Sequence, residues 1–122
     1  MAKILIVDDS ALSRRMLRGI LEEGGHEVVE AQDGFMALEK FSLEQPDLVT
    51  LDMTMEGMHG LEVLEAIRKL DANARVLGAS ADIQKFTQQL FLEKGGKAFI
   101  GKPFDSERVL ATVRNAFEGG SQ

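Results

Sequence analysis

The chain has 122 residues, 44% of them apolar and 28% charged, which suits one globular domain with a real core and leaves no room for a second. Its formal net charge of −6 argues against a phosphate-backbone binder, since such affinity rests on Lys and Arg; Arg14, Arg15 and Arg18 make a small cluster on one helix face at most. Cysteine is absent, no apolar run approaches the ~20 residues of a membrane span, and the N-terminus lacks the basic-then-apolar order of an export signal, so a cytoplasmic protein with no membrane insertion is expected.

Lys3 to Val7 is a short continuous apolar run ending in Asp8-Asp9, the pattern of a strand buried on both faces. Ser10 can cap a helix from about Ala11 to Glu23, on which Leu12, Met16, Leu17, Ile20 and Leu21 recur at three- and four-residue steps until Gly24-Gly25 stops them. Glu27 to Ala31 is a less apolar strand, expected near a sheet edge. Asp33-Gly34 opens a second helix carrying Ala37, Leu38 and Phe41, which ends before Gln45-Pro46 because the residue before proline avoids helical angles.

Asp47 to Leu51 predicts a third strand, buried, that runs into the carboxylate of Asp52. Gly60 restarts the chain in a helix with Leu61, Leu64, Ile67 and Leu70 on one face, turned by Asp71 to Ala74. Arg75 to Ala79 is a fourth strand ending in Ser80. A fourth helix, roughly Ile83 to Lys94, has a narrow stripe of Ile83, Phe86 and Leu90 facing inward and is the least firmly held. Lys97 to Gly101 is the fifth strand, broken by Lys102-Pro103, and Asp105 caps a last helix with Val109, Leu110, Val113 and Phe117. Residues 1–118 are thus expected to form the domain and 119–122 a flexible tail.

Five strands alternating with five helices imply an α/β fold with a doubly wound parallel sheet, of flavodoxin-like arrangement, because each parallel return needs a crossover and nearly all crossovers are right-handed. Ligands of such sheets bind at the carboxyl ends of the strands. Those ends carry Asp8 and Asp9, Asp52, Ser80, and Lys102 with Pro103, whereas Lys3, Glu27, Asp47, Arg75 and Lys97 at the amino ends read as ordinary solvated flanks. Three carboxylates on one edge repel unless a cation shares them, and oxygen ligands without His or Cys favour a hard ion such as magnesium, which also recruits phosphate oxygens. Lys102 adds a point charge for a phosphate oxygen and Ser80 a hydroxyl donor. Asp52 among these groups is the candidate nucleophile for phosphoryl transfer.

Ile6-Val7-Asp8-Asp9-Ser10, Asp52-Met53-Thr54-Met55 with Gly57-Met58-His59-Gly60, Ser80-Ala81 and Lys102-Pro103-Phe104 resemble the receiver domains of two-component response regulators, CheY-like, over essentially the whole chain. The resemblance implies the strand order 2-1-3-4-5 and a signalling switch that takes part in its own phosphorylation, not a turnover enzyme. It makes Asp52 the phosphoacceptor, Asp9 a direct Mg2+ ligand (Mn2+ being a substitute), Asp8 a ligand acting mainly through a metal-bound water, and the Thr54 backbone carbonyl the remaining protein ligand. Lys102 would contact the phosphoryl group, Ser80 would move to bond it, Phe99 would stand where an aromatic of the fifth strand reports the switch, and Lys102-Pro103 would be cis. The implied partners are a histidine kinase or phosphotransfer protein, and a downstream protein bound on the face of the fourth helix, fifth strand and fifth helix.

Four positions depart from the commonest family pattern: Glu56 in place of proline, His59 in place of an acid, Ser80 in place of threonine and Phe99 in place of tyrosine. Phe99 has no phenol to report the active state by a hydrogen bond, and its ring can equally be core. Met53, Met55 and Met58 read as adaptable packing, and His26 and His59 as solvated. The rival readings are an aspartyl-phosphate phosphatase of haloacid-dehalogenase type, which would leave the Asp8-Asp9 pair without a counterpart, and a receiver used only for docking or dimerisation.

Overall fold

The computed structural model describes residues 2–54, 60–81 and 85–118. Its elements run β1 (Lys3–Val7), α1 (Ala11–Glu23), β2 (Glu27–Ala31), α2 (Gly34–Glu44), β3 (Leu48–Asp52), α3 (Gly60–Leu70), β4 (Val76–Ser80), α4 (Lys85–Glu93), β5 (Ala98–Gly101) and α5 (Ser106–Phe117). The five strands are parallel in the order β2-β1-β3-β4-β5, so β2 is an edge strand, in keeping with its less apolar sequence. The order reverses between β1 and β3; β3 ends there in Asp52, and β1 runs directly into Asp8.

Strand pleating sends alternate side chains to opposite faces, and each face has its own core. Leu5, Val7, Val49, Leu51 and Val76 pack against Ala37, Phe41, Val63, Leu64, Ile67 and Phe91 of α2, α3 and α4. Ile4, Ile6, Leu48, Leu77, Ala79 and Ile100 pack against Leu17 and Leu21 of α1 and Val109, Val113 and Ala116 of α5. The caps follow the sequence: Ser10 Oγ accepts from the Ser13 amide at 3.2 Å, Asp33 Oδ1 from the Met36 amide at 2.8 Å, and Asp105 Oδ1 from the Glu107 amide at 3.0 Å. Gln45, ahead of Pro46, leaves α2 in the left-handed region at φ 49°.

The structure corrects several expectations. Strand β3 is shifted one residue later than predicted, so Asp52 is its last member, paired with Ala79; Asp47 instead accepts the Lys3 amide at 2.8 Å. Strand β4 likewise takes in Ser80. On α1, Leu12 and Met16 are exposed, and on α3 Leu70, in the last turn, is exposed. On α4, Leu90 is half-buried, but Phe86, predicted inward, is 69% exposed, and Phe91, left out of the predicted stripe, is fully buried. Two neighbours hold Phe91 inward: the Phe99 ring, centroid to centroid 4.7 Å, and Gly96, whose missing Cβ would lie 2.0 Å from the Phe91 ring. Ile83 lies outside the described residues.

His26 is half-buried, not solvated. Its Nδ1 accepts the Ala2 amide at 3.2 Å, and burial pushes its pKa below the ordinary value, helped by the N-terminal amine.

Candidate functional site at the carboxyl edge of the sheet

The site begins where β1 runs out. The Asp8 amide donates to Ala31 O at 3.1 Å, extending the ladder by one residue, and the Asp8 side chain turns back so that Oδ1 accepts the Ser10 amide at 2.9 Å. The same register places Asp52 at the end of β3, and Met53 N bonds Ala79 O at 3.0 Å to hold that end against β4. Lys102 N donates to Ser80 O at 3.1 Å, which fixes the base of the lysine beside β4. The Lys102-Pro103 bond is cis, as the resemblance implied.

These backbone positions bring the side chains together. Carboxylate oxygens of Asp8, Asp9 and Asp52 all lie within 4.8 Å of one another. Asp8 and Asp52 are each 3% exposed, while Asp9 faces solvent. Lys102 Nζ donates to Asp8 Oδ2 at 3.0 Å and stands 3.9 Å from Asp52 Oδ2. Ser80 is buried at the next strand end. Two buried carboxylates therefore share one ammonium, with a third carboxylate beside them, an excess of negative charge whose inner part is poorly hydrated.

The Asp8 carboxyl shows the strain of that arrangement. Burial drives its pKa above the usual carboxylate value; the Ser10 amide and Lys102 oppose the rise, and the charge of Asp52 adds to it. An all-oxygen donor set of this size, open to solvent at Asp9, suits a hard divalent cation that keeps waters.

Two features of the site were not anticipated. Thr54 was expected to serve through its carbonyl alone, yet its amide and hydroxyl both donate to Asp52 Oδ1, at 3.0 and 2.8 Å. The Asp-x-Thr spacing is a signal for such a side-chain turn. Arg14, read from the sequence as part of a small surface cluster, donates through Nη1 to the Asp8 carbonyl at 2.7 Å and through Nε to Glu30 at 2.8 Å. The signal was Glu30, an acid interrupting an apolar strand.

Phe99 packs inward with its ring on Phe91 and over Gly78, its register partner on β4. Met55, Glu56, Gly57, Met58 and His59, with Asp82, lie outside the described residues.

The family described as response regulator receiver domain matches residues 4–114. The chemotaxis protein CheY of Bacillus subtilis is 45% identical over 112 residues, 91% of this chain and 93% of that protein, and CheY of Thermotoga maritima is 41% identical over 112 residues, 91% and 93%. Among solved structures, a chain of the CheX-CheY-BeF3-Mg2+ complex from Borrelia burgdorferi is 38% identical with a TM-score of 0.90, covering 94% of this chain and 88% of that one. Vibrio cholerae CheY4 is 31% identical with a TM-score of 0.91, covering 95% and 98%. With a family match across nearly every element, relatives this similar over almost their full length, and the same five-stranded order, the chain belongs to the response regulator receiver domain family and is a CheY-like regulator of two-component signalling.

Proposed function

We propose that the protein is a phosphorylation-operated binding switch, formed by residues 1–118, in which Asp52 accepts a phosphoryl group from the phosphohistidine of a histidine kinase or phosphotransfer protein. The observation that carries this reading is the convergence of Asp8, Asp9, Asp52 and Lys102 at one edge of the sheet. Asp52 Oδ1 is held twice by Thr54, which leaves Oδ2 as the attacking oxygen. Oδ2 forms the new bond to phosphorus as the bond from phosphorus to the donor imidazole breaks, and the electron pair returns to the ring nitrogen.

A Mg2+ ion held by Asp8, Asp9, Asp52 and the Thr54 carbonyl would neutralise charge on the transferring group. Lys102 exchanges its bond to Asp8 for one to a phosphoryl oxygen, a donor already placed where charge develops. Ser80 is the hydroxyl within the same edge that bonds the acyl phosphate. The change then biases Phe99 and the face of α4, β5 and α5, where a downstream protein binds. The Borrelia relative, whose complex contains beryllofluoride and Mg2+, supports this chemistry, and the relatives named for chemotaxis favour a chemotaxis-type regulator working in the cytoplasm.

Incubation with acetyl phosphate and Mg2+ tests the first step. Acid-labile phosphate is incorporated into the wild type and not into Asp52→Asn; label that persists in Asp52→Asn overturns the assignment.

A further inference from the structure

We propose that Arg14 is a positioning residue for the acidic pocket, acting through the peptide bond that joins Asp8 to Asp9. This rests on the metal-binding reading above. Only Asp8, Asp9 and Ser10 separate the end of β1 from the start of α1, so the orientation of that one peptide plane sets where the Asp9 carboxylate points. Arg14 Nη1 takes the carbonyl of this plane at 2.7 Å. Its own backbone is tied to the same link, since Arg14 N donates to Ser10 O at 3.0 Å.

The guanidinium is itself held from behind. Its Nε donates to Glu30 Oε1 at 2.8 Å, and the second Glu30 oxygen accepts from Arg18 Nε at 2.5 Å, with Arg18 Nη1 continuing to Glu22 at 2.7 Å. The Arg14 side chain is only 16% exposed. Burial works against the Glu30 carboxylate, but the hydrogen bonds from Arg18 and Arg14 outweigh it and keep Glu30 ionised below the usual range. A planar fork that bridges two acceptors is something arginine supplies and lysine does not. The row from Glu22 to Asp8 therefore braces the loop that carries two of the three acids, with Arg14 as the member that reaches it.

Charge and position predict opposite signs. Were Arg14 acting only as a nearby cation, removing it would make the pocket more negative and tighten divalent binding. As a positioning residue its removal loosens Asp9 and weakens binding, by about 10-fold, the scale on which supports behind metal ligands act.

The experiment is Mn2+ and Mg2+ binding to the full chain, by electron paramagnetic resonance of free Mn2+ and by titration calorimetry, with thermal unfolding alongside. Arg14→Ala is expected to bind about 10-fold more weakly, Arg14→Lys to fall between it and the wild type, and exposed Arg15→Ala to match the wild type. Adding Glu30→Gln to Arg14→Ala is expected to cost no further affinity. A merely structural arginine would lower the unfolding temperature and leave the affinity of the folded protein where it was. Binding by Arg14→Ala as tight as wild type, or tighter, overturns the proposal. Should Arg14→Ala fail to fold, wild-type affinity in Arg14→Lys overturns it instead. A wild type that binds neither ion sinks the metal-binding reading itself, and with it this proposal.

Discussion

The two ends of the sheet are built from the same five strands and treat charge in opposite ways. At the amino ends charged groups are settled locally. Lys3 Nζ pairs with Glu44 at 3.2 Å, its amide is taken by Asp47, Arg68 donates to Ala74 O at 3.1 Å, and Arg75 lies 5.1 Å above the Phe117 ring. At the carboxyl ends three acids gather within 4.8 Å of one another, and the two buried ones, Asp8 and Asp52, share Lys102. Like charges gathered out of water cost stability, so this end of the sheet is the less settled of the two. The difference between the ends is thus a difference between charge paired off within the fold and negative charge gathered in excess at the candidate site.

Lys102→Ala is the strongest way to break that comparison. Without the ammonium, Asp8 and Asp52 are left buried together, and the metal-free protein should lose roughly 3 kcal/mol. Millimolar Mg2+ should restore most of it, which urea unfolding with and without the ion would reveal. Unchanged stability in Lys102→Ala would mean that the pocket is already neutralised.

Asp52→Asn should act the other way, raising metal-free stability by about 1 kcal/mol because one repelling charge is gone while the Thr54 bonds can remain. That gain should shrink when Mg2+ is added to both proteins; a loss of stability in the metal-free variant would contradict the charge argument.

The pH dependence sharpens the same point. Asp8 has a folded-state pKa raised above its unfolded 3.8, so the folded chain takes up its proton first. The cost of ionised Asp8 is fully present above the raised pKa and fades as pH falls through it towards 3.8. Metal-free unfolding of wild type and Asp8→Asn should therefore shift relative to each other in favour of wild type on acidification across that window.

At the quiet end, Glu44→Ala should change stability by less than about 0.5 kcal/mol, since its pair with Lys3 is partly solvated. A change as large as that of Lys102→Ala would erase the distinction between the two ends.

Most of the framework was legible because its signals are local and redundant. Apolar runs, caps at Ser10, Asp33 and Asp105, and breaks at Gly24-Gly25 and Pro46 all point to the same ten elements. The site was legible because strand ends collect its residues in a parallel sheet, so chain order alone brings Asp8, Asp9, Asp52, Ser80 and Lys102 together. What was hidden depends on tertiary company. Phe86 and Phe91 are equally apolar, and only the space above Gly96 and the ring of Phe99 decides which one turns inward. Arg14 looked like a surface charge because its two acceptors, a backbone carbonyl and a glutamate on β2, are invisible to a helix-face pattern.

The meeting of Gly78 and Phe99 carries a consequence for how this chain can vary. A Cβ on Gly78 would fall 2.7 Å from the Phe99 ring and 3.4 Å from Met53, the residue that follows Asp52. Volume is conserved across the two strands jointly: a ring can lie inward on β5 because β4 contributes no side chain beside it. Any larger residue at 78 calls for a smaller or outward one at 99, so the rest position of the β5 aromatic is written on its neighbouring strand.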